Sequence, residues 1–110
     1  MPRKIYAPVR GANFRPESAR QRLLDYTPDM PICLTREPDN AHDSNAIQVW
    51  VGHEGNEEFV GYVGREFAEE LAPRMDAGLP TSAKIDHYLS ALMPVLEIVV
   101  DDGDEPKEAA

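Results

Sequence analysis

Short apolar runs separated by polar, turn-forming stretches set the pattern of this 110-residue chain. Ile5–Phe14 reads as a first strand with a basic flank. Pro16 stands where a helix begins, because its fixed φ and missing N–H cost nothing at a first helical position. Ala19, Leu23 and Leu24 are expected on the buried face of that helix, Arg20 and Arg22 outside, and Thr27-Pro28-Asp29 ends it. Pro31–Thr35 and Ala46–Val51, the latter rich in β-branched and aromatic residues, read as two strands around a polar loop, Arg36–Asn45. A hairpin through His53–Asn56 leads to a fourth strand at Glu58–Val63.

The period then changes. Phe67, Ala68, Leu71, Ala72 and Met75 fall on one helical stripe within Arg65–Asp76. Pro73 interrupts it, so a helix followed by a separate turn is expected, since mid-helix proline costs about 3 kcal/mol. Gly78 is placed to end the region as a left-handed cap. Ser82–Ser90 and Val95–Val100 complete six short strands. The chain therefore reads as mainly β, a small barrel or curled sheet with two short helices, closed against edge pairing. One unit spans residues 3–100, and 101–110, acidic and without a large apolar side chain, is expected to be disordered.

Charge narrows the function. The chain carries −9, yet residues 1–22 carry +5 through Arg3, Lys4, Arg10, Arg15, Arg20 and Arg22 against Glu17. Such a segment either tracks a phosphate backbone locally or is only a solvated face. Indiscriminate charge attraction to duplex DNA needs many clustered cations and is excluded. No apolar run approaches the roughly 20 residues that cross a bilayer, and the opening Met-Pro-Arg-Lys-Ile-Tyr lacks the apolar region of a secretory signal. Cys33, the one cysteine, excludes an internal disulfide. A cytoplasmic location is the expectation.

The most informative stretch is Leu34–Val49, where Pro, Asp and Asn crowd between two strands. Asp and Asn side chains accept hydrogen bonds from nearby backbone N–H groups, which assigns Asp43 and Asn45 first to holding the loop. Asn40 and His42 are the better ligand candidates: an amide offers donor and acceptor to a base or sugar, and an imidazole offers a stacking face.

The run Arg36-Glu37-Pro38-Asp39-Asn40-Ala41-His42-Asp43-Ser44-Asn45-Ala46-Ile47-Gln48-Val49 resembles the signature of HIRAN domains. So do Val60-Gly61-Tyr62-Val63-Gly64-Arg65-Glu66-Phe67-Ala68 and, upstream, Val9-Arg10-Gly11-Ala12-Asn13-Phe14. The resemblance implies an OB-like barrel of the kind attached to Rad5-type helicases, which captures the 3′-hydroxyl end of single-stranded DNA. It assigns Phe14 to the pocket wall and Asn40, His42 and Asp43 to the terminal nucleotide, with Asp43 accepting from the 3′-hydroxyl. Tyr62 is assigned to a base or sugar and Arg65 to a phosphate, and Arg15 joins the expected binding set. Asn13, Phe14 and Arg15 stand where animal helicase members place a cation and paired tyrosines, so the aromatic wall is thinner. Tyr88 is the one candidate for a further pocket aromatic.

Catalysis, cofactors and metals find little support. His42, His53, His87 and Cys33 lack zinc spacing, and Asp39, Asp43 and Asn45 lack the glycine and glutamate of a calcium loop. Lys84 and Lys107 are remote from the acidic loop, and no nucleophile elbow is present. Trp50 reads as packing and Tyr62 either as a ligand contact or as a half-buried barrel residue. The expected partner is a single-stranded DNA 3′ end. The alternative is an acidic interaction or inhibitory module that engages a DNA-processing enzyme.

Overall fold

Alternation inside the strands decides how the chain closes. Ile5, Ala7 and Val9 are buried while Lys4, Tyr6 and Arg10 face out; further on, Ile47, Val49 and Val51 are buried while Gln48 and Trp50 face out. A period of two gives each strand one apolar face, and six such faces share one interior. The computed structural model describes residues 2–101. It runs β1 (Pro2–Arg10), a 3-10 turn (Ala12–Phe14), α1 (Glu17–Leu24), β2 (Ile32–Arg36), β3 (Ile47–Val51), β4 (Glu58–Val63), α2 (Arg65–Asp76), β5 (Thr81–Ser90) and β6 (Met93–Asp101). The strands form a closed antiparallel barrel in the order β1-β4-β3-β2-β5-β6.

The helices close the barrel with Leu23 from α1 and Leu71 from α2, both fully buried beside Ile47, Leu96 and Ile98. Each such side chain contributes about 1.5–3 kcal/mol of transfer free energy. β1 pairs with β6 from Pro2 to Pro8, then passes to β4 through Val9↔Val63 and Arg10↔Tyr62. That handover sets Arg10 beside Tyr62. The β2–β5 seam is short, one register pair at Ile32↔Ala83. Two tyrosines brace β5 beside it against α1 and the segment that follows: Tyr26 Oη accepts from Ile85 N–H at 3.4 Å, and Tyr88 Oη donates to the Leu23 carbonyl at 2.6 Å.

Several boundaries differ from the sequence reading. β1 stops at Arg10 instead of continuing to Phe14, because Gly11 takes a left-handed φ of 83° and turns the chain into the 3-10 turn. Leu24 is 55% exposed. Arg22 reaches inward to donate to the carbonyls of Val51 at 2.8 Å and Asn56 at 2.7 Å. An eight-residue helix has room for one apolar line, Ala19 and Leu23, and the neighbouring position goes to a cation that satisfies strand-end carbonyls. α2 is continuous through Pro73, contrary to the expected break. The proline ring is exposed and one ladder bond is lost, but burial of Leu71 and Ala72 and packing of Met75 hold both sides in register. Gly78, at φ 80°, closes α2: its N–H donates to Met75 O, and Leu79 N–H donates to Arg74 O. This is the Schellman pattern. The acidic tail lies outside the described residues apart from Asp101, which ends β6. No helix among the described residues is long and apolar enough to cross a membrane.

Candidate functional site

The Glu37–Ala46 loop is held from within. Asn40 Oδ1 accepts from the N–H groups of His42 at 2.8 Å and Asp43 at 3.0 Å, and Asp43 Oδ1 accepts from Asn45 N–H at 2.9 Å. Asn40 therefore shares with Asp43 the structural duty that the sequence reading gave first to Asp43 and Asn45. Its amide nitrogen donates to Glu37 Oε2 at 3.0 Å. From β2, Arg36 staples the loop by donating to Ala46 O at 2.8 Å and Ser44 O at 2.9 Å, and its Nε donates to Asp76 Oδ1 of α2 at 2.9 Å.

Glu37 ties this loop to the sheet. Its Oε1 accepts from Gln48 Nε2 at 2.7 Å and from the Tyr62 hydroxyl at 2.8 Å. The bond from Gln48, then those from Tyr62 and Asn40, hold the Glu37 carboxyl below the usual glutamate range. Burial, and then the Glu37 carboxylate, push the Tyr62 phenol up, so its hydroxyl stays a donor at neutral pH.

Loop and sheet enclose an open cavity of about 470 Å³ against the start of α2, within the usual size range of small-ligand sites. Asn40, His42, Asp43, Tyr62 and Arg65 line it together with Arg10, Ala46, Val63 and Glu66. Arg65 opens α2, the unfavourable end for a cation. It crosses the loop, donating to His42 O at 3.3 Å and standing 3.8 Å from Asp43 Oδ2. Its side chain is 76% exposed and that of Asp43 19% exposed, which leaves the guanidinium donors to spare. The His42 ring and the Arg10 guanidinium have no side-chain partner among the described residues. The cavity thus offers two cations, two carboxylates (Asp43 and Glu66), an imidazole face and a phenol ring.

Two expected members lie elsewhere. Phe14, 85% exposed, is not among the lining residues. Arg15 donates from Nε to the Phe59 carbonyl at 2.9 Å and lays its guanidinium over the Phe59 ring, 4.1 Å from the centroid. Tyr88 is committed to the Leu23 carbonyl and does not line the cavity. The sequence reading named Arg10 only as one cation of the basic leading segment and gave Glu37 no role. Both stand within the quoted motifs; what brings them to the site is the β1–β4 register and a hydrogen-bond network, neither of which the sequence displays. Among the described residues, no group of three or more His, Cys, Asp or Glu side chains is placed to hold a metal ion.

The sequence matches the family model of the HIRAN domain over residues 4–92. Its fold is similar to a crystal structure of a protein from Lactobacillus plantarum, with a TM-score of 0.73 at 21% identity over 91% of this chain and 97% of that one. It is also similar to the crystal structure of the HIRAN domain of human HLTF, with a TM-score of 0.68 at 24% identity over 88% of this chain and 74% of that one. No curated protein matches the sequence.

Proposed function

The chain belongs to the HIRAN family, a family of nucleic-acid-binding modules, and on that premise we propose that it grips the 3′-hydroxyl end of a single nucleic-acid strand. The observation that carries this reading is the meeting of Asn40, His42 and Asp43 with Tyr62 and Arg65, two distant segments, around one open cavity rimmed by Arg10. In this reading the terminal base stacks against His42 and Tyr62, a contact worth roughly 1–3 kcal/mol. Arg65 and Arg10 take phosphate oxygens through charge-assisted hydrogen bonds. Asp43 accepts a hydrogen bond from the terminal hydroxyl, which explains a carboxylate beside a polyanion: along a DNA backbone only a strand end supplies a hydroxyl donor. Its loose pairing with Arg65 then gives way to two better partners.

A set of variants tests the proposal. In low salt, a labelled oligonucleotide with a free 3′ end should bind the native protein, and His42→Ala should weaken it by about 5- to 100-fold, the range of one lost stack. Arg10→Ala and Asp43→Asn should weaken it as well while the circular dichroism of the barrel stays native. Equal affinity in all four proteins would refute the cavity as the binding site.

The net charge of −9 favours a second reading, an acidic module that engages a DNA-processing enzyme. It predicts no strand binding at any salt concentration, together with co-purification of such an enzyme.

A further inference from the structure

The outer face of the barrel beside the cavity carries a row of aromatic rings of which end recognition uses only Tyr62. Tyr62, on the cavity wall, meets Phe59 edge-on with centroids 5.3 Å apart, and Phe59 stacks on Trp50 at 5.3 Å with 18° between the planes. The register places them side by side, since Trp50 pairs with Phe59 across β3 and β4. On the far side Trp50 pairs with Cys33, a small, exposed side chain. The Arg15 guanidinium lies over the Phe59 ring, and Phe14, 85% exposed, is the residue immediately before Arg15.

A hydrogen-bond chain joins the row to the cavity. Trp50 Nε1 donates to Gln48 Oε1 at 2.9 Å, and Gln48 Nε2 donates to the carboxylate that holds Tyr62 and Asn40. Burial does not explain rings here, because all three stand on the outward side of their strands and stay partly exposed. Aromatic faces flanked by a cation are what a single strand uses as a stacking platform. Two ring-to-ring steps of 5.3 Å span at most about three base steps of about 3.4 Å.

We infer that Tyr62, Phe59 and Trp50, flanked by Arg15, form a path that carries the nucleotides next to the one held in the cavity. The inference rests on the end-binding reading and extends it from one nucleotide to a short single strand. Most other cations of the leading segment are engaged within the fold: Arg20 on the Arg15 carbonyl, Arg22 on β3, Lys4 near Glu97 and Arg3 on Glu70. Arg10 therefore remains for phosphates along this path, together with the terminal nitrogens of Arg15, whose Nε is spent on the Phe59 carbonyl.

Trp50 is the only tryptophan, so its emission reports on the path directly. The native protein is titrated with a dinucleotide and with a hexanucleotide, both with free 3′ ends, while binding is followed by competition against a labelled strand. The hexanucleotide should bind more tightly and quench Trp50, and the dinucleotide should bind without quenching. Trp50→Leu should reduce the advantage of the longer strand by about 5- to 100-fold, one lost stack. A hexanucleotide that binds through its end, no more tightly than the dinucleotide and with Trp50 emission unchanged, overturns the path and leaves the cavity reading standing. Binding of neither strand overturns both. Emission that changes with protein concentration alone identifies the row as a contact between copies, and also overturns the path.

Discussion

Glu37 has one carboxylate and three side-chain donors, from Gln48, Tyr62 and Asn40, and this convergence fixes the geometry of the cavity more than any residue inside it. Its pKa is lowered in the fold, so it stabilises the native state fully above the ordinary glutamate range. That contribution is lost as pH falls through the depressed value. Urea melts of native protein and Glu37→Gln should differ at neutral pH and converge in acid; a constant difference would show that the network does not depend on the charge. Asn40 and His42 were legible as ligand candidates from their types; Asp43 read from its type as a loop-holding residue, and only the family resemblance turned it toward a ligand. Glu37 was not legible, because a glutamate within a polar run looks solvated until the strand that brings Tyr62 and Gln48 beside it is in place.

At the scale of elements, the site depends on how closely β4 lies against β1. Gly61 makes that approach possible: a Cβ there would stand 2.7 Å from the Arg10 carbonyl and 2.7 Å from Val9 Cγ1, at a φ of 155°. Gly61→Ala should cost about 1–3 kcal/mol, as overpacking does, and weaken strand binding by moving Arg10 and Tyr62 apart; a native melting temperature would contradict this. The seam between β2 and β5 invites a second test. The Tyr88 phenol is pushed up by burial and by neighbouring Tyr26, so its contribution is complete below the ordinary tyrosine range and lost as pH rises through the raised value. Tyr88→Phe should cost about 1 kcal/mol near neutrality by losing the bond to Leu23 O, and the gap should close in alkali. Strand positions were readable from β-branched and aromatic runs. The end of β1 and the continuity of α2 through Pro73 were not, since a left-handed glycine in one case and tertiary packing in the other overrode local preference.

Across the whole molecule, the −9 charge and a nucleic-acid site are compatible because the free cations are few and grouped. Arg10 and Arg65 line the cavity and Arg15 stands on the adjoining aromatic row with its Nε on the Phe59 carbonyl, while Arg22, Arg20 and Arg36 hold carbonyls of the fold. Three phosphate contacts predict that the logarithm of affinity falls with that of salt at a slope of about −2 for a single strand, and a slope of −5 or steeper would require a wider basic surface. The basic leading segment was visible in the sequence; its division between structural and free cations needed the fold. The measurement that bears most directly on the central claim is the ratio of affinities for one oligonucleotide ended by a 3′-hydroxyl and the same strand ended by a 3′-phosphate, at equal low salt. A carboxylate acceptor in the cavity predicts at least about a tenfold preference for the hydroxyl, the cost of one charged hydrogen bond. Equal affinity, or preference for the phosphate, would contradict it.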